Sequence, residues 1–393
     1  MRILVTGATG YIGRRLIPRL LAAGHELKCF TRDPRRLSEA PWRQRVEIVK
    51  GDVLDSASIE QALGGCDAAF YLIHSMEEGS HDFSDQDRTA ARTFRDAADR
   101  ASLRRIVYLG GLGSGESMSK HLASRQEVGL ILSDGDTPVT ELRAAVIIGS
   151  GSVSFEMLRY LTEVLPVMVA PTWVRTRCQP IAVADVLDIM VEAIAEAGGV
   201  SHVREIGGPD RLTYQEMMQV YAQEACLPRR LIIPVPVLSP KLSSHWIGLV
   251  TPLPTAVAKP LVDSLRVEVT VSDNSYAEGI VGELTSYREA VAQALRRSVG
   301  VPAVWRRPSS PSGPAEVQPG DPVWAGGTVL VDEQVIASSA QPSDLYWAVS
   351  RIGGVTGYYA MHWAWALRGL IDSMVGGVGL RRGRRHPEDI RDG

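Results

Sequence analysis

The tightest constraint on this chain sits in its first fourteen residues. Arg2-Ile3-Leu4-Val5 is a short apolar run with a β-branched bias. Thr6-Gly7-Ala8-Thr9-Gly10-Tyr11-Ile12-Gly13 follows at once, and Leu16, Ile17, Leu20 and Leu21 then recur at helical spacing. The pattern reads strand, glycine turn, helix. Gly7 permits the tight turn, Gly10 lets backbone N–H groups approach a pyrophosphate with no Cβ in the way, and Gly13 lets the helix lie close to the strand. The helix N-terminus adds unpaired N–H groups and a partial positive charge for phosphates. Gly7, Thr9, Gly10, Tyr11, Ile12 and Gly13 are therefore candidate cofactor-binding residues. The competing reading is a glycine-rich turn without a ligand; the strand–turn–helix context argues against it.

With 393 residues, the chain is long enough for two domains. Hydrophobic residues make up 45% and charged residues 22%, which allows a large core. A net charge of −3 argues against a general nucleic-acid binder. Cys29, Cys66, Cys178 and Cys226 show no paired spacing, so the expectation is reduced thiols in a cytoplasmic protein, with neither a disulfide framework nor a metal site. The N-terminus reads as a core strand, which leaves no room for a signal peptide there. No apolar stretch escapes charge or proline for long enough to span a membrane; 231–265, the nearest candidate, is broken by prolines, Lys241, His245 and Lys259.

Further strands are expected at Glu26–Thr31, Val46–Val49, Asp67–Ile73, Arg105–Leu109 and Val139–Arg143. Helices come between them, the first capped by Ser56, and a long one covers Phe83–Ala101. This alternation dictates a parallel sheet with helices on both faces. The second strand ends at Arg32-Asp33-Pro34. A basic residue there accommodates the extra phosphate of NADP, whereas an acidic one binds the ribose hydroxyls of NAD. Arg32 comes first, so NADP(H) is preferred, and Asp33 keeps NAD(H) open. Asp52 would accept a hydrogen bond from adenine, with Val53 flat against the ring. His74 follows the fourth strand, where ligands lie in open parallel sheets.

Together, Thr6–Gly13, Gly51-Asp52-Val53, Tyr108-Leu-Gly-Gly-Leu-Gly113, Leu142-Arg143-Ala144 and Gln179-Pro-Ile-Ala-Val-Ala-Asp-Val186 resemble the atypical, extended branch of the short-chain dehydrogenase/reductase (SDR) superfamily. That branch includes NmrA-like redox sensors and complex I accessory-subunit-like proteins. The resemblance covers roughly the first 300 residues and implies a Rossmann-like doubly wound fold with a small substrate-side lobe, binding a nicotinamide dinucleotide. Active members carry Tyr-x-x-x-Lys on the helix after the fifth strand. This chain has His121-Leu-Ala-Ser-Arg125 instead. Arg125 keeps charge and donors for a ribose or phosphate, and His121 is the candidate proton-transfer residue. Two functions follow as expectations. One is an oxidoreductase, either a reductase or an isomerase, acting on a small hydrophobic carbonyl or quinone-like molecule. The other is a non-catalytic NADP(H)-binding sensor or accessory protein.

In the lobe, Arg175 and Arg177 would suit an acidic group on the substrate side of the cleft, or form a solvated structural pair. Asp185 would cap or anchor the following helix, and Thr213-Tyr-Gln-Glu216 is a capping box. The stretch 300–320 turns to Pro, Ser and charge and reads as a linker between 1–299 and 321–393. Beyond it, an alternating run from Gly327 and a helix opened by Ser343-Asp344 resemble START-like helix-grip domains. The expectation there is an incomplete α+β segment with Tyr358, Tyr359, Trp363 and Trp365 in its core and a role in binding a protein partner. Val375–Arg385 reads as a basic loop.

Overall fold

The computed structural model describes residues 1–38, 40–73, 83–113, 118–235, 264–295, 321, 338–350, 363–365 and 367–369. The chain opens with β1 (Arg2–Val5), α1 (Tyr11–Ala22), β2 (Glu26–Thr31), β3 (Glu47–Lys50), α2 (Ser56–Leu63), β4 (Ala68–Tyr71), α3 (Phe83–Arg100), β5 (Arg105–Gly111), α4 (Lys120–Ser133) and β6 (Val139–Ala144). It continues through β7 (Ile147–Ile148), α5 (Val153–Val164), β8 (Val167–Pro171), β9 (Arg177–Cys178), β10 (Ile181–Ala182), α6 (Val183–Ala195), β11 (His202–Ile206), β12 (Leu212–Thr213), α7 (Tyr214–Glu224) and β13 (Leu231–Val235). After these come α8 (Ser275–Val281), α9 (Tyr287–Leu295) and α10 (Pro342–Ser350).

Seven strands form one sheet in the order β11-β6-β5-β4-β1-β2-β3, and every pairing is parallel. The fold is Rossmann-like α/β. Strand alternation explains its two cores. Ile3, Val5, Cys29, Phe70 and Val107 face α1, α6 and α8, while Leu4, Phe30, Ala69, Tyr71 and Ile106 face α2, α3 and α4. The five inner strands β6, β5, β4, β1 and β2 are buried on both sides, as parallel strands under two helical layers must be, while the edge strands β11 and β3 are partly exposed. A third apolar cluster, from α5, β8, α7 and α9, makes the small lobe.

Several local expectations shift. The third strand is displaced by one residue. Asp55, not Ser56, caps α2, its carboxylate accepting from the Ala57 N–H at 3.2 Å. Asp185 does not cap α6, which starts at Val183. From the first turn it holds Thr285, accepting from the backbone N–H and the hydroxyl, each at 2.8 Å. The Thr213–Glu216 capping box forms as expected. In the C-terminal part, α10 begins at Pro342, before Ser343-Asp344, because proline suits the first helical position. Trp363 is 68% exposed, so it is not a core residue. Tyr358, Tyr359, the run from Gly327 to Ile336 and Val375–Arg385 lie outside the described residues.

One contact crosses almost the whole chain. Arg15 on α1 meets Asp321 in a two-pronged ion pair at 2.9 and 2.6 Å, with the two side chains 0% and 2% exposed. The same guanidinium donates to the Ser150 carbonyl at 3.0 Å and lies 3.9 Å from the centre of the Tyr11 ring.

Candidate functional site

The glycine turn lies where β1 and β4 end side by side. The Thr6 hydroxyl donates to the Phe70 carbonyl at 2.9 Å and accepts from the Leu72 N–H at 3.0 Å, which locks the two strand ends together. Gly7 has φ +66°, and a Cβ there would lie 2.4 Å from the Leu72 carbonyl oxygen. A Cβ on Gly13 would lie 2.3 Å from the Gly7 carbonyl oxygen, so only glycine lets α1 start this close to the turn. Gly10 differs. Its backbone is extended, it caps α1 without a side chain, and it is exposed. Its missing Cβ leaves the helix N-terminus open to a ligand. That cradle fits a diphosphate.

Two spaces spread from this turn. One, of about 640 Å³, runs along the C-terminal ends of β2 and β3 and touches Thr9, Arg32, Arg36, Asp52 and Val53. The other, of about 450 Å³, lies over β5 and α4 and touches Tyr11, Ile12, Tyr108, His121, Arg125 and Tyr214. Gly7, Gly10, Leu72 and Ile73 border both, so the spaces make one groove.

The end of β2 separates its charged residues. Asp33 caps the short 3-10 turn Pro34–Leu37, accepting from the Arg35 N–H at 3.1 Å, and its carboxylate takes the Arg35 guanidinium at 2.9 and 3.1 Å. The hydrogen bonds from Arg35 hold the Asp33 carboxyl below its usual pKa. Arg32 and Arg36 border the groove beside it. Arg14 braces the region by donating to the Thr9 carbonyl at 3.1 Å and to the Arg36 carbonyl. Arg14 and Arg36 were not singled out from the sequence, although an arginine one position past the glycine motif was a visible signal. The Asp52 carboxylate accepts from the Leu54 N–H at 3.0 Å, and Val53 is 9% exposed.

On α4, the four-residue spacing sets His121 and Arg125 on one face, toward the same space. The Arg125 guanidinium donates to the Leu109 carbonyl, while its Nε is buried without a hydrogen-bond partner among the described residues. The Tyr108 hydroxyl donates to the Arg125 carbonyl at 2.9 Å, and burial pushes the phenol up to about 12. The described lining here includes no Asp or Glu; apart from His121 and Arg125 it is aliphatic, aromatic, glycine or hydroxyl-bearing.

Arg175 and Arg177 do not join this site. Arg177 pairs with Thr213 on the outer side of the β9–β12 ladder while Cys178 points into the core, and Arg175 is the exposed last residue of a 3-10 turn. His74 lies outside the described residues. All four cysteines are free thiols; Cys29, Cys66 and Cys178 are buried, and Cys226 is exposed. Among the described residues no helix is long and apolar enough to cross a membrane.

Comparisons with known proteins agree with this geometry. Residues 7–144 match a family described as NAD(P)H-binding. Residues 324–393 match a family described as a protein of unknown function (DUF2867), which gives no support to the START-like resemblance. A (4-alkanoyl-5-oxo-2,5-dihydrofuran-3-yl)methyl phosphate reductase of Streptomyces griseus is 29% identical over 219 residues, covering 54% of this chain and 70% of that enzyme. An NADH dehydrogenase [ubiquinone] 1 alpha subcomplex subunit 9 of Arabidopsis thaliana is 25% identical over 290 residues, covering 69% and 71%. The crystal structure of an NADPH-dependent quinone oxidoreductase of Escherichia coli, complexed with NADPH, superposes with a TM-score of 0.60 at 22% identity, covering 74% of this chain and 98% of that one. The likeness in sequence thus reaches an NAD(P)H-binding family over residues 7–144, and the likeness in fold reaches NAD(P)-binding reductases over about three quarters of the chain.

Proposed function

We propose that the protein is an NADP(H)-dependent reductase acting on a hydrophobic carbonyl or quinone-like compound. The observation that carries this reading is the single groove, with a backbone cradle in the middle, cationic side chains at one end and a largely apolar chamber at the other. In this assignment the N–H groups of the Gly7–Gly13 turn, including those of Thr9, Tyr11 and Ile12, hold the diphosphate. Asp52 and Val53 flank the adenine. Arg32 and Arg36 take the ribose phosphate, because Asp33 is already occupied by Arg35 and is a poor partner for a ribose hydroxyl. Arg125, with its unpaired Nε, holds the nicotinamide ribose.

A nicotinamide bound there supplies the hydride. The chain must orient the acceptor carbon, keep water out and deliver a proton to the oxygen. The aliphatic walls exclude water, and the His121 imidazole donates the proton. The residue types that the SDR resemblance leads one to expect on α4 are replaced by His121 and Arg125, and a relative is a subunit of an NADH dehydrogenase. These observations favour the second reading, a non-catalytic NADP(H)-binding sensor or accessory protein. NADPH oxidation followed by absorbance with a panel of quinones and aldehydes separates the two. Turnover that falls at least tenfold in His121→Phe, with NADPH affinity retained, supports the reductase. Binding without turnover overturns it.

A further inference from the structure

The chamber has an annex. Behind it, a narrow space enters the core of the small lobe; Val146, Ser154, Tyr214 and Leu265 border both. Its inner wall is Met157, Leu158, Leu161, Met217, Met218 and Trp173. All six are buried and none carries charge. Trp173 is 5% exposed, yet its indole Nε1–H has no hydrogen-bond partner among the described residues. Tyr214 does not relieve it: the two rings meet edge to face at 5.9 Å, and the Tyr214 hydroxyl is engaged with Cys178. A buried donor without an acceptor is costly to keep. The annex leaves about 10 Å³ open, roughly the space of one water, but a water there would meet too few polar partners to be held. Three thioether side chains form much of the wall, and unbranched methionines repack readily around an entering group.

We infer that this annex receives an apolar arm of the substrate bearing a hydrogen-bond-accepting oxygen, which takes the Trp173 Nε1–H. Ser154, half-buried at the mouth, is the gatepost between chamber and annex. The inference rests on reading the chamber as the substrate site, and it narrows the substrate class to amphiphilic carbonyl compounds with an oxygenated aliphatic or aryl arm.

The test uses the full chain saturated with NADP+, so that no turnover intervenes. Straight-chain 2-alkanones of five to eleven carbons and matched 1-chloroalkanes are titrated by calorimetry, and the indole N–H resonances are followed in 15N-labelled protein. With the carbonyl in the annex, affinity is expected to rise about threefold per added methylene as the trailing chain covers the apolar wall of the chamber, somewhat below complete transfer from water. The ketones should bind about tenfold tighter than the chloroalkanes, as expected for one satisfied buried donor, and should move the Trp173 resonance downfield. Ser154→Phe, by closing the mouth, and Trp173→Phe, by removing the donor, should each abolish the preference for ketones. Equal binding of ketones and chloroalkanes, an unmoved Trp173 resonance or a flat chain-length series would each overturn the inference. The wild-type resonance and Ser154→Phe decide the matter if Trp173→Phe does not fold. An absence of NADPH oxidation beside an intact binding series would sink the reductase reading alone; the reverse would sink only the annex.

Discussion

At the turn after β1 the groove is walled by main chain: Gly7, Gly10 and Gly13 matter for what they lack. In the small lobe it is walled by side chains, drawn from α5, the turn after β8 and α7, that matter for what they present. The first kind of wall tolerates almost no change of residue and, in the proposed function, would bind a group common to many nucleotides. The second tolerates exchange of one hydrophobe for another and, in the same reading, would set which molecule is accepted. On that proposal a single groove joins a rigid, general end to an adaptable, selective one.

Gly13→Val tests the rigid end hardest. With a Cβ 2.3 Å from the Gly7 carbonyl oxygen, the turn must open. We expect a loss of more than about 3 kcal/mol, read as a hundredfold weaker NADPH titration or a failure to fold. Gly199→Ala, where a Cβ meets nothing within 4 Å, should leave both readouts unchanged. If the two variants behave alike, the main-chain wall is not what holds the cofactor. Alkaline titration comes next. The Tyr108 phenol ionises near 10 when unfolded and at about 12 when folded. Its contribution to stability is therefore complete below pH 10 and is lost as pH rises from there to about 12, a fall of about 2–3 kcal/mol from this group. Denaturant midpoints measured across that window should show the fall together with that of the other buried phenols, and Tyr108→Phe should make it shallower by this group's share.

A smaller effect is expected at the cationic end. Replacing Arg32 and Arg36 together with alanine should weaken NADPH by about tenfold to a hundredfold, the worth of charge-assisted hydrogen bonds, and NADH by less than about twofold. An equal loss for both nucleotides would make the two arginines structural. The smallest effect belongs to the lobe. Thr213→Ala breaks the capping box of α7 and should cost about 1 kcal/mol, a melting shift of a few degrees, with NADPH binding untouched. Weakened NADPH binding in this variant would mean that the two ends are not separable.

This contrast also explains what could be read from the residues. A glycine motif and its flanking strand and helix are contiguous, so their spacing carries the geometry; the turn, the succession of the first six strands along the chain and the α7 capping box were legible for that reason. The engagement of Asp33 was not legible in that way: Arg35, only two residues away, takes its carboxylate through a local turn. Arg175 and Arg177 stayed open between a cleft pair and a solvated pair because charge alone does not say which side of a two-residue strand faces out. Ser56 and Asp55 are adjacent and both good caps, and sequence does not choose between them. Trp173, Met217 and Leu265 come from separate stretches, and only the packed lobe brings them to one wall.

Asp321 reaches Arg15 across 306 residues of sequence. A protease that severs the Pro- and Ser-rich stretch at 300–320 would therefore leave this ion pair between the first helix and the start of the distal fragment, a contact that by itself holds two pieces together only at about millimolar concentration. Nicked protein that travels as one species on a sizing column would require contacts beyond this pair. Removing the carboxylate, as in Asp321→Ala, strands a buried cation against the Tyr11 ring and should cost about 3–5 kcal/mol. Asp321 is in this way a structural tenant of the first helix.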